Sequence, residues 1–137
     1  MKRAVAVLMC LLLLFVWTGC RAVRKDDTKL QDLEFTVIEK EDIPEEMRSS
    51  IEARKKEPFQ ITYGDREYLY IGQGYGKQPT SGYSVAVDSC YEAENAIYIH
   101  TTLLGPGSEE EISENPTYPY VVVRLAWNEK YVIFQSK

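Results

Sequence analysis

Along most of the chain after residue 34, apolar and polar residues alternate in short runs with a period of two, the signature of half-buried strands. Phe35, Val37 and Ile38 predict a first strand over 34–39. Residues 59–63 alternate and predict a second, which Gly64 and Asp65 turn back towards Glu67 as a hairpin. Tyr68, Leu69, Tyr70 and Ile71 are β-favouring, and Tyr83, Val85 and Val87 alternate with Ser84 and Ala86. Between those two runs lie Gly72, Gly74, Gly76, Pro79 and Gly82, which predict a shaped, glycine-rich loop joining two paired strands. Further strands are predicted at 96–104, with Ile97, Ile99, Thr101 and Leu103 on one face, at 120–127, and at 131–134. One stretch has a helical period instead: Ile43, Met47 and Ile51 form a narrow apolar stripe. Asp42 can cap it, Pro44 suits its first turn, and Glu45 and Glu46 complement its positive end. Arg54, Lys55 and Lys56 complement the other end, and Pro58 stops it. The expected fold is mainly β: an antiparallel β-sandwich, immunoglobulin-like, or an open barrel, with one N-terminal helix.

The N-terminus departs from this pattern. Lys2 and Arg3 precede a continuous apolar run from Ala4 to Trp17 that closes on Thr18, Gly19 and Cys20. A run of that length is short for a bilayer-spanning helix, and small residues before a cysteine fit an export signal. VWTGC at 16–20 resembles a bacterial lipobox, with Trp17 where leucine is usual. The resemblance implies a signal peptide over 1–19 and lipidation of Cys20, hence an extracytoplasmic protein held at the cell membrane or surface by lipid. Residues 20–33 are polar and mixed in charge and read as a tether, leaving a single domain over 34–137. Arg21, Arg24 and Lys25 read as solvated residues close to the headgroups.

Charge and cysteine usage narrow the chemistry. Removing Lys2 and Arg3 from 16 basic residues leaves 14 against 21 acidic, a balance that disfavours nucleic acid. Of three cysteines, Cys10 goes with the signal and Cys20 with the lipid. Cys90 is left without a disulfide partner and reads as a buried thiol. His100 is the sole histidine, so neither a Ser-His-Asp relay nor a two-histidine metal site can be assembled. Glu109, Glu110, Glu111 and Glu114 lack calcium-loop spacing and read as a solvated loop within 105–119. No metal, cofactor or enzymatic activity is expected. What remains is a set of loop residues suited to recognition. Tyr75, Lys77, Gln78, Pro79, Thr80, Ser81 and Gly82 lie on one loop, and Tyr118, Pro119 and Tyr120 on another. Pro119, between two tyrosines, is also a candidate for a cis peptide bond.

GKQPTSGYSV at 76–85 and PTYPYVVVRL at 116–125 together resemble the C-terminal domain of the PrcB family of bacterial protease-complex subunits, over about residues 66–126. Ser81 stands where that family often has glycine. The resemblance implies a lipoprotein that assembles, stabilises or anchors a secreted serine protease without being the protease. QPTSGY at 78–83 is also similar to a loop of chagasin-type cysteine-protease inhibitors, whose other motifs are not recognisable here. An inhibitor using residues 79–82 as a wedge, and an envelope glycan or peptide binder using Tyr75, Tyr118 and Tyr120, are the alternatives.

Overall fold

The computed structural model describes residues 28–137; the signal over 1–19, Cys20 and the tether up to residue 27 lie outside the described residues. Eight strands follow in order: β1 (Lys29–Asp32), β2 (Thr36–Val37), β3 (Pro58–Gly64), β4 (Tyr68–Tyr75), β5 (Ser84–Ala93), β6 (Ala96–Leu104), β7 (Tyr120–Ala126) and β8 (Tyr131–Ser136). A 3-10 turn (Lys40–Asp42) and helix α1 (Glu45–Arg54) separate β2 from β3. The strands make two four-stranded sheets, ordered β1-β5-β6-β8 and β2-β7-β4-β3, which pack as a sandwich and do not close into a barrel. All pairings are antiparallel except β6 with β8, which is parallel. No helix among the described residues is long and apolar enough to cross a membrane.

Three layers explain the sequence pattern. Leu69 and Ile71 of β4 and Val123 and Leu125 of β7 meet Cys90, Ile97 and Ile99 of the other sheet in the central core. Tyr70 and Val122 point the opposite way, where Met47 and Ile51 of α1, with Ile43 just before it, lie on them beside Phe59. Covered on both faces, β7 is apolar at consecutive positions, Val121, Val122 and Val123, as a doubly buried strand must be. Met47 and Ile51 are each 1% exposed, so each contributes about 1.5–3 kcal/mol of apolar burial. The narrow stripe on α1 is therefore the helix's seat on its own domain. Pro44, not Asp42, occupies the N-cap position, and no side chain caps the helix; Asp42 belongs to the preceding 3-10 turn.

Two expectations about the chain's course need correction. The glycine-rich stretch is not a loop between paired strands, because β4 runs on through Gly72, Gln73 and Gly74 to Tyr75, and β4 and β5 lie in different sheets. Gly72 and Gly74 are close-packing glycines: a Cβ on Gly72 would sit 3.0 Å from both Met47 Cε and Ile61 Cγ2, and one on Gly74 would overlap the Phe59 ring. The chain turns at Gly76 and Gly82, whose φ angles are +74° and +86°. The tether also ends earlier than its composition suggested, since Lys29–Asp32 pairs with the end of β5, Lys29 opposite Ala93. The first predicted strand shrinks to Thr36–Val37, and Leu33 and Phe35 instead pack over the core as the chain crosses between sheets.

At the end where β1 enters, Glu92 joins three segments. Its carboxylate accepts hydrogen bonds from Gln31 at 2.7 Å and Asn128 at 2.9 Å, and pairs with Lys130 at 3.0 Å. Those donors hold its carboxyl down at about 2. Lys130 also donates to the Ala93 carbonyl.

Candidate functional site

β4 and β6 finish, and β5 and β7 begin, at the same end of the sandwich, so antiparallel topology alone brings the two predicted loops together. Hydrogen bonds then zip them into one unit. Gln78 and Thr117 exchange backbone bonds of 2.8 and 3.0 Å as an isolated bridge. The Thr117 hydroxyl donates to the Thr80 carbonyl at 2.7 Å. Ser81 N–H donates to the Ser113 carbonyl at 2.9 Å, and Ser113 N–H donates to Ser81 Oγ at 2.8 Å. Gly82 has Pro106 and Glu110 against it; a Cβ there would lie 2.7 Å from Pro106 Cβ. Glu110 accepts from Gly107 N–H at 3.0 Å, which fixes the turn at the start of the second loop.

Nine of the ten predicted residues lie on the zipped loops or at their ends, and the tenth, Tyr75, does not. Lys77 and Pro79 are exposed, and Gln78, Thr80, Ser81, Gly82, Tyr118, Pro119 and Tyr120 are half-buried. Tyr75 is not a loop residue: it ends β4 and points between the sheets, where its hydroxyl lies 2.6 Å from Thr101 Oγ1. Thr101 donates onward to Gln73 Oε1 at 2.8 Å, so Tyr75 is the donor to Thr101. Gln73 and Thr101 are the buried polar residues of the core, and this chain satisfies them. Tyr120 leans on Phe59, with ring centroids 6.1 Å apart, beneath the α1 layer. Tyr118 lies under the Lys55 ammonium, 5.8 Å from the ring centroid. Glu52 accepts from Lys55 at 2.8 Å, which lowers the Glu52 carboxyl and raises the Lys55 ammonium. Tyr75, Tyr118 and Tyr120 therefore do not form a row of exposed rings. The peptide bond before Pro119 is trans, contrary to expectation; the Pro119 carbonyl accepts from Tyr75 N–H within the β4–β7 ladder, and this extended course suits a trans bond.

Sequence reasoning missed Ser113 and Thr117, which hold the first loop in place. The cue was a hydroxyl residue beside Pro116, a common means of shaping an irregular segment. Elsewhere, Cys90 is buried, and desolvation raises its thiol to about 11, so it is protonated and inert at neutral pH. His100 stacks near Tyr91 on the outer face of its sheet. Among the described residues, no group of three or more His, Cys, Asp or Glu side chains is placed to hold a metal ion.

A family model described as PrcB C-terminal matches residues 69–126, from the second residue of β4 to the last of β7. That match makes residues 69–126 similar to the PrcB C-terminal family. The PrcB match spans both zipped loops and the four strands that carry them, and it leaves α1 and β8 outside. It supports an association with a protease complex. No curated protein and no solved structure matches the chain at a significant level.

Proposed function

We propose that this protein is a non-catalytic, lipid-anchored lipoprotein outside the cytoplasm that binds a secreted protease and helps assemble or stabilise its complex. The observation that carries this reading is the zipped pair of loops at one end of a PrcB C-terminal domain, with Lys77 and Pro79 at the exposed tip. A preordered surface loses little conformational entropy on binding. The position of β1 agrees with it. Lys29 lies beside Ala93, at the end of the sandwich opposite the loops, so a lipid on Cys20 would hold the loop end away from the bilayer.

The test is a gentle detergent pull-down of the tagged full chain from its own envelope, beside a variant whose residues 78–82 are replaced by a glycine-serine segment. A protease retained by the wild type and lost from the variant is the expected outcome. Equal recovery in both would remove the loop end from the contact, and recovery of phospholipid and peptidoglycan alone would sink the protease reading. An inhibitor would instead abolish activity stoichiometrically when added to the purified protease.

A further inference from the structure

The two flanks of the sandwich differ. On the β1/β2 flank, the chain itself crosses from sheet to sheet, and Leu33 and Phe35 close the seam against the core. On the opposite flank, β3 and β8 are the last strands of their sheets; residues 127–130 cross from β7 to β8 at the end away from the loops, and no described segment joins β3 to β8 along the rest of the seam. A groove of about 460 Å³ runs there, between Gln60, Ile61 and Thr62 on one wall and Val132 and Phe134 on the other, with Leu69 as floor. At its mouth stand Tyr131, 85% exposed, and Trp127, 43% exposed. A second groove, of about 700 Å³, continues from Gln60 to Ser136 at the loop end, where Arg54, Lys56 and Glu57 line it.

The two free edges are not equivalent. β3 opens with Pro58, whose missing N–H interrupts a ladder, so that edge is blunted. β8 reads YVIFQS: it has no proline, no glycine and no charge, and Val132, Ile133 and Phe134 are all half-buried. In a strand paired on one side, every second residue turns its N–H and C=O outward. An uncharged apolar edge of this kind is a template for another strand.

We propose that β8 accepts an extended segment of a protein partner. Its inward side chains are small and β-branched, to fit between Phe134 and Thr62, and it carries an acidic residue at the end beside Ser136. Charge selects that partner. Arg54 and Lys56 outnumber Glu57 at that end of the groove and make no ion pair among the described residues, whereas Lys130, at the other end, is already compensated by Glu92. A second copy fits less well, because antiparallel β8–β8 pairing would set Lys130 of each copy against Lys137 of the other. The inference concerns β8, outside the family match, and does not depend on the zipped loops.

The test uses the isotope-labelled full chain in detergent micelles with a synthetic octapeptide of alternating valine and threonine that begins with two aspartates. Comparison peptides carry lysines in place of the aspartates, or methyl groups on alternate backbone nitrogens. Amide shifts and slowed exchange confined to β8 and its groove are expected with the acidic peptide, and none with the methylated one. Combining Arg54→Glu with Lys56→Glu, both exposed, should weaken binding about tenfold. The loop variant described above should bind the peptide unchanged, so failure here is distinguishable from failure of the protease reading. Shifts centred on residues 77–81, equal binding of the lysine peptide, or self-association through β8 would each overturn the proposal.

Discussion

Gly74 shows how one residue type carries different meanings in one stretch. It lies in the interior of β4 under the Phe59 ring, while Gly76, two positions on, has a φ of +74°. Both glycines are required, the first for space and the second for backbone conformation. Gly74→Ala should therefore destabilise the domain by about 1–3 kcal/mol through overpacking, seen as a lower urea midpoint at constant slope. An unchanged midpoint would mean that Phe59 moves aside freely. Tyr75 makes a related point: its hydroxyl completes the buried Gln73 and Thr101 chain. Tyr75→Phe should cost about 0.5–1.5 kcal/mol of stability and leave any partner affinity untouched. A loss of affinity at unchanged stability would restore Tyr75 as a recognition residue.

Among the elements, β1 is the least expected, and a single carboxylate reinforces its backbone pairing with β5. RAVRKDDTKLQDL at 21–33 has a linker's composition, and nothing in it announces a strand. Lys29–Asp32 becomes one because β5 is ten residues long and offers an edge, and because Gln31 reaches Glu92 there. The Glu92 carboxyl lies at about 2 when folded, against an ordinary value of 4.5. A depressed folded pKa means that its stabilisation is fully present above the ordinary value and is lost as pH falls through that window towards 2. Thermal unfolding between pH 5 and 2 should therefore show a slope that Glu92→Gln reduces; that substitution should cost roughly 1 kcal/mol at pH 7 and speed amide exchange in β1. Identical pH slopes in both proteins would show that Glu92 is not the titrating group. The helix was far more legible, because Ile43, Met47 and Ile51 repeat at its period and face one layer. Its N-terminal boundary was less so, since an aspartate before a proline suits either a cap or a 3-10 turn.

At the scale of the whole molecule, β4 and β7 are paired on both edges and covered on both faces, and β2 and β8 are not. Hydrogen exchange should report slowest amides in β4 and β7, approaching the global unfolding limit, and the fastest strand amides in β2 and on the outer edge of β8. Early exchange of β4 would mean that α1 detaches as a unit. This three-layer burial also explains which features local sequence could convey. Alternation at 96–104, the apolar run at 120–126 and the helical stripe depend on which face of an element is buried, a property each segment writes into its own residues. The family motifs likewise lie in short contiguous runs, so they were visible before any contact was known. Long-range features were not: which strands share a sheet, the parallel course of β8 beside β6, and the bonds from Ser113 and Thr117 to the first loop. The sequence by itself determined a β-rich chain with one seated helix and two recognition-like loops, because periodicity and turn chemistry are local. That the half-buried Tyr75 turns its hydroxyl between the sheets, that the loops are zipped together and that one flank stays open emerged only in three dimensions, because each depends on residues far apart in the chain meeting in space.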